Sequence, residues 1–420
     1  MKILHISGVL ALGLVRSLAE GEVKDELVIP DALKFTGSQI AKDENNLPRF
    51  FDALGKLGAS KNEDLKAVRE ARQQLIEGKE IQNVELLENL RARHIRTNKT
   101  LTPPLAFPPD MELSALVVYH LFQGSEVLVR QAMLEKDYTK ADGLIEDMFR
   151  WNHLLRNSRP PLIQMLTAIY GWQHTFNLLL RDWVNSPEQG SRFDQIQKFA
   201  ANNRLERSEL IDSFKAEFHW YVNLGGLRKM LADERYAGMS ALLLKPPFNK
   251  LSVSQLLKLP YDFQVDLRRE SEEALSILEC LKNGDPLSRW PRFKLPANVN
   301  SLKDYEKRPN GLGDLFKEQV DSTIAIQGWA TILNSGPLLD ACLKWLKLEQ
   351  DGQPITETSF TEFLDPVDGK PLHIDVKNRT IQSRGLNLKI DPPDADGPPP
   401  LTAGFFMRGD DSIIVIPRWR

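Results

Sequence analysis

Apolar residues recur along most of this chain every three to four positions, the period of a helix that buries one face. Between 113 and 132, Leu113, Leu116, Val117, Leu121, Leu128 and Ala132 keep that spacing. A turn at Glu135-Lys136-Asp137 follows. A second run then starts at Tyr138-Thr139-Lys140-Ala141 and carries Leu144, Ile145, Met148, Trp151 and Leu155. Arg159-Pro160-Pro161 stops it, because proline lacks the N–H and clashes with the preceding turn. A third helix is expected over 162–184, ended by Asn185-Ser186-Pro187.

The same reading places helices over 193–201, 207–221, 253–257, 262–281 and 312–348. Short or proline-anchored loops join them, such as Lys245-Pro246-Pro247 and Asn283-Gly284-Asp285-Pro286. Residues 287–309 hold prolines and no clear period, and read as a surface strap. Upstream, 62–96 is charge-dense, with Leu65, Val68, Leu75, Leu86, Leu87 and Leu90 at helical spacing and an interruption at Gly78. A proline-rich break at 101–109 separates it from the rest. The fold class expected is mainly α, an antiparallel bundle of helical hairpins whose apolar faces cover one another.

The pattern changes after Glu349, where glycine and proline crowd the chain. Between them lie extended pieces at Leu372–Val376, Thr380–Gln382, Phe405–Met407 and Ile413–Ile416, with Asn378-Arg379 as a hairpin connection. Leu372, Ile374 and Val376 alternate with His373 and Asp375, so one face should be buried and the other wet. The expected organisation is a signal peptide at 1–19, a charged helical segment at 20–105, a helical-hairpin domain at 106–349 and a small β-rich module at 350–420.

Two resemblances rest on particular residues. The turn Gln131-Ala132-Met133-Leu134-Glu135-Lys136-Asp137-Tyr138-Thr139-Lys140-Ala141 resembles that between the helices of a tetratricopeptide hairpin. No second copy follows at a period of about 34 residues, so no repeat array is expected. The run Leu343–Pro354, then Phe360–Leu364, then Asp365-Pro366-Val367-Asp368-Gly369-Lys370-Pro371-Leu372 resembles the C-terminal segment of the major pseudopilin of type II secretion. Exported helical proteins of planctomycete and verrucomicrobial type carry a similar tail behind a domain resembling 110–180 here. The long N-terminal hydrophobic helix and prepilin cleavage site of true pseudopilins are missing, so the resemblance implies a fold and an address but neither filament assembly nor a reaction.

The address also has its own signal. Lys2, the apolar run Ile3–Val15 and the small residues Ser17 and Ala19 fit a signal peptide cleaved after Ala19. That run is shorter than the about 20 residues a membrane span takes. A periplasmic or secreted location is expected, the alternative being an inner-membrane anchor formed by an uncleaved N-terminus.

Charge and composition narrow the partners. With 54 basic and 57 acidic residues the formal net charge is −3, which lacks the basic footprint of a nucleic-acid binder. Two cysteines exclude a disulfide scaffold and a four-cysteine zinc site. Cys280 and Cys342 sit in apolar helical patterns and read as small core residues, although export would let a disulfide persist.

Candidate chemistry is sparse. Pseudopilin-like tails often hold calcium in an acidic loop, and Asp391, Asp394 and Asp396 offer three carboxylates with Gly397 for the turn. The same stretch also reads as a solvated acidic loop. Trp151 with His153, Trp172 with His174, and Phe218-His219-Trp220-Tyr221 beside Glu217 form an aromatic and histidine concentration. If their helices pack together, His219 or His153 could serve as base and Glu217 as acid in one pocket that His174 joins. Residues two apart on a helix do not share a face, so one of each Trp/His pair must point away from the core. Gly238-Met239-Ser240-Ala241 lacks the second glycine of a nucleophile elbow, and Gly311-Leu312-Gly313 lacks the third glycine of a dinucleotide site. The expected function is therefore a non-enzymatic, exported protein that binds or scaffolds a protein partner in the cell envelope. The alternative is a hydrolase using the His/Glu pocket.

Overall fold

A computed structural model describes residues 29–35, 40, 44–56, 62–106, 115–160, 162–185, 189–202, 204–223, 225–232, 244, 246–291, 301–319, 323–390, 404–408 and 411–418. The proposed signal peptide and the Asp391–Asp396 loop lie outside these residues. The protein is mainly helical, with a small antiparallel sheet near its C-terminus. The helices are α1 (Leu47–Lys56), α2 (Asn62–Ile76), α3 (Val84–Thr100), α4 (Ala115–Leu134), α5 (Tyr138–Asn157), α6 (Leu162–Asn185), α7 (Gln189–Asn202), α8 (Arg207–Asn223), α9 (Gly226–Ala232), α10 (Val253–Leu256), α11 (Phe263–Asn283), α12 (Leu302–Glu306), α13 (Gly311–Gln319) and α14 (Thr323–Gln350).

Helix α4 is the centre of the bundle. It packs against α1, α2, α3, α5 and α6, and residues 120–129 are buried without interruption. A helix enclosed on every side must satisfy its polar side chains internally, since an unpaired buried polar group costs on the order of 1–3 kcal/mol. The α4–α5 hairpin closes as its sequence suggests. Lys136 takes a left-handed backbone (φ 61°), and Asp137 caps α5 by accepting from the Lys140 N–H at 3.1 Å. Trp151 is fully buried on α5 while His153, two residues on, is exposed.

Within the stretch expected as one helix over 312–348, the described residues form α13 and α14. They serve different cores. Leu312, Leu315 and Phe316 pack around Tyr305, whereas Leu338, Trp345 and Leu346 join the main core. Pro337 lies inside α14. Its ring removes one ladder bond, at a cost of about 3 kcal/mol, which the burial of Leu338 and Leu339 offsets. The strap after α11 is pinned rather than loose: Leu287 and Ser288 donate backbone N–H groups to the carbonyls of Pro366 and Val367, both at 2.9 Å. A short helix, α12, occupies part of the range read as strap.

The tail folds as β1 (His373–Asp375), β2 (Thr380–Ser383), β3 (Gly404–Arg408) and β4 (Asp411–Val415), in the order β1-β2-β4-β3. Ile374 pairs with Ile381, and Ile381 with Ile414. These isoleucines share one core with Trp345 and Leu346 of α14 and Phe176 of α6. Leu372 and Ile374 are buried, but Val376 is 38% exposed. The strand stops at Asp375, whose carboxylate accepts from the backbone and side-chain N–H groups of Asn378 at 2.9 and 2.6 Å. That turn carries Val376 off the sheet before it can continue the alternation.

Candidate functional site

Three places bring functional side chains together. The first is an elongated cleft of about 690 Å³ between α5 and α7. Asp142, Ile145, Glu146, Phe149, Arg150 and His153 line one wall, and Gln195, Lys198, Phe199 and Asn202 the other, with Leu179 at the base. The α5 residues run from 142 to 153 at helical spacing, so that wall is about 16 Å long at the ordinary helical rise. Phe149 and Phe199 stack across the gap, and Phe199 is in turn 6.0 Å from the Trp172 ring. The rim is charged. Asp142 pairs with Arg192 at 2.5 Å and Arg150 with Asp147 at 3.1 Å. Glu146 and Lys198 are exposed on opposite walls.

His153 stands at the end of this cleft and accepts a hydrogen bond from the Asn157 amide at 2.8 Å. Partial desolvation at the cleft wall and the neighbouring Arg156 charge lower its pKa from the usual imidazole value.

The second place surrounds Glu126. Its carboxylate is 1% exposed and draws Arg72 of α2 (2.6 Å), Arg130 of α4 (2.5 Å), Arg181 of α6 (3.6 Å) and the His174 ring. Burial works to raise the Glu126 pKa, but His174, Arg130 and Arg72 outweigh it and hold the carboxyl well below the ordinary range. His174 is thus the partner of a buried carboxylate. Tyr119 and Gln123 extend the same face of α4, with the Gln123 amide donating to the Tyr119 hydroxyl at 2.6 Å. Burial raises the Tyr119 pKa, with Arg72 and Arg69 opposing.

The third place is a Ser–His–Asp line. Ser125 Oγ lies 3.3 Å from His94 Nδ1, and His94 Nε2 lies 2.9 Å from Asp147 Oδ2. Asn98 ties in as well, donating to Asp147 at 2.5 Å and accepting from Trp151 Nε1 at 2.6 Å. The order of groups matches a nucleophile, a base and an orienting acid. Access does not. Ser125 is 2% and His94 5% exposed, and the serine sits mid-helix rather than on a turn that would present it. The line fastens α3, α4 and α5 together.

The remaining expected site residues stand elsewhere. His219 on α8 is half-buried with its ring 6.4 Å from Phe35, and burial lowers its pKa. Glu217 is half-buried on the same helix. His153, His174 and His219 therefore have three different sets of neighbours, and the common pocket drawn for a hydrolase does not assemble from them. The aromatic run around His219 contributes through Tyr221 instead: its hydroxyl donates to buried Asp266 at 2.5 Å, beside a second hydroxyl from Tyr261 at 3.0 Å.

Cys280 and Cys342 are free thiols, the latter buried and its pKa pushed up by that burial. Among the described residues no group of three or more His, Cys, Asp or Glu side chains is placed to hold a metal. Among them, too, no helix is long and apolar enough to cross a membrane. Sequence reasoning missed Glu126 because only Arg130, four residues on, reveals a pair; Arg72 and Arg181 are more than fifty residues away in either direction. No protein-family model, curated protein or solved structure matches this chain.

Proposed function

We propose that this is an exported, non-catalytic binding protein of the cell envelope, and that the α5–α7 cleft receives a segment of its protein partner. The observation that carries this reading is the shape and lining of the cleft. Three turns of α5 form one wall, the Phe149 and Phe199 rings stack between the walls, and Glu146 and Lys198 place charges of opposite sign on opposite walls. An apolar trough with a charged border suits an amphipathic or extended segment that anchors one or two apolar side chains, with charge fixing its direction. The rigid hairpin scaffold behind it lowers the ordering cost of binding. The N-terminal signal pattern supports the envelope address, and the pseudopilin-like tail adds a second, docked module to the same body.

A photo-crosslinking amino acid at Lys198 in the full chain, expressed in its native envelope, tests the assignment. One discrete adduct is expected, lost when Phe199 is changed to Asp while far-UV circular dichroism is kept. Diffuse labelling unaffected by Phe199→Asp would reject the cleft as the binding surface. N-terminal sequencing of the native protein beginning after Ala19 is the outcome the envelope address requires.

A further inference from the structure

We infer that the arginines around Glu126 form a binding site for a small oxyanion, of the phosphate or carboxylate class, at the junction of α2, α4 and α6. The inference starts from charge balance. Arg72, Arg130 and Arg181 contribute three fixed positive charges, and Glu126 is the carboxylate to which all three are paired. Among the described residues none of the three has a second acidic partner. The group therefore carries, among the described residues, a surplus of two positive charges even with His174 neutral. Such a surplus in a half-buried position is costly unless an anion compensates it.

Hydrogen bonding leads to the same place. A carboxylate offers about four lone-pair positions. Here they face two nitrogens of Arg130, the Nε of Arg72, the His174 ring and, more distantly, Arg181. One carboxylate cannot receive the about fifteen N–H donors that three guanidiniums bring, and Arg72 Nε and Arg130 Nη2, though close to Glu126, make no well-directed hydrogen bond. The Arg181 Nε is buried and has no hydrogen-bond partner among the described residues, and that guanidinium's contact with Glu126 is the longest of the set at 3.6 Å. Glu126 fixes the forks from behind, and donors that do not fit around one carboxylate remain for another acceptor.

The site also has an open side. Glu126 is sealed at 1% exposure, but Arg72 is 33% and Arg181 20% exposed. Arg69, one turn before Arg72 on α2, is exposed and close enough to act on Tyr119. An oxyanion arriving between α2 and α6 would meet Arg69, Arg72 and Arg181, with the Tyr119 hydroxyl alongside. Guanidinium forks match the planar geometry of a carboxylate and two oxygens of a phosphoryl group. The cleft between α5 and α7 has a different lining, so this inference stands whatever occupies that cleft.

Inorganic phosphate is the probe. The melting temperature of the full chain should rise saturably with phosphate over chloride at matched ionic strength, as binding to the native state alone requires. Arg72→Gln and Arg181→Gln should each weaken the apparent affinity at least tenfold. Phenyl phosphate and acetate at the same ionic strength separate the sources: a response to phenyl phosphate equal to that of phosphate assigns a phosphate ester, and a stronger response to acetate assigns a carboxylate. Saturable phosphorus NMR line broadening on the unaltered protein gives a readout independent of whether the variants fold. If none of the three anions exceeds chloride, or if both variants respond like the parent, the inference fails.

Discussion

The Arg379 guanidinium grips the Glu349 carboxylate in a two-pronged ion pair, with Nη2 to Oε2 at 2.7 Å. Arg379 sits in the β1–β2 turn with a left-handed backbone (φ 57°), and Glu349 ends α14. The same guanidinium donates to the Ile416 carbonyl at 3.3 Å and stands 5.6 Å from the Trp345 ring centre. One side chain thus ties the turn, the exit of β4 and the long helix together.

Arg379→Ala should destabilise the protein by about 2 kcal/mol, the value of charge-assisted bonds to a partly buried partner. Arg379→Lys should recover less than half of that, because a point charge cannot reproduce the fork. Lys347→Ala is the contrast. Its pair with Asp351 is about half exposed on both sides, so the change should stay within about 0.5 kcal/mol. Urea unfolding followed by tryptophan fluorescence measures all three, and equal losses for Arg379→Ala and Lys347→Ala would contradict the linking role.

Glu126→Gln should cost far more, about 3–5 kcal/mol, because it leaves three guanidiniums without their buried counter-charge. The acid dependence has a definite sign. The folded-state pKa of Glu126 lies well below the ordinary carboxylate value, so its contribution is complete above that ordinary value and is lost as the pH falls toward the folded pKa. The urea midpoint of the parent should therefore drop below about pH 4.5, and the drop should be shallower in Glu126→Gln. Parallel pH profiles for the two proteins would show that Glu126 is not held charged.

How much of this was legible varies with the range of the interaction. The α5 limits are those the spacing of Leu144, Ile145, Met148, Trp151 and Leu155 suggests, since a one-sided apolar stripe is a local signal. The strands of the tail also fall within a residue or two of their alternating runs. Trp151 and His153 separate as helix geometry demands. What stayed hidden are pairings across the fold: Arg72 and Arg181 with Glu126, His94 with Ser125 and Asp147, Phe149 with Phe199. No periodicity encodes which helix faces which.

Asp365 anchors the Asp-Pro turn of the tail. Its Oδ1 accepts from the Val367 N–H and the Ser383 hydroxyl, both at 2.9 Å, and its Oδ2 accepts from the Arg384 N–H at 2.6 Å. Burial raises its pKa above the ordinary carboxylate value, and those donors pull only part of the way back. A carboxyl raised on folding contributes most below its unfolded pKa and loses that contribution as the pH rises through the folded one, the opposite sign to Glu126. Asp365→Asn should still destabilise at pH 7, by about 1–3 kcal/mol, because its amide would set one N–H against another at Arg384. Hydrogen exchange should quicken across 366–384 while α5 stays protected. Unchanged protection there would mean that the turn is held by other contacts.

Two glycines in neighbouring helices give opposite expectations. Gly171 of α6 lies where a Cβ would stand 2.5–2.7 Å from three atoms of the Phe122 ring on α4. Phe122 is 1% exposed and packs edge-on against Trp151 at 6.4 Å, so the ring has nowhere to go. Gly171→Ala should therefore cost about 1–3 kcal/mol through overpacking, despite the better helix propensity of alanine. Gly143 of α5 is exposed, and a Cβ there would meet nothing within 4 Å. Gly143→Ala should stabilise by about 0.5–1 kcal/mol, because it removes backbone freedom from the unfolded chain and touches no neighbour. Urea midpoints that move in opposite directions confirm that α4 and α6 meet backbone to ring at Gly171. Two equal gains would mean that the helices are further apart than Phe122 requires.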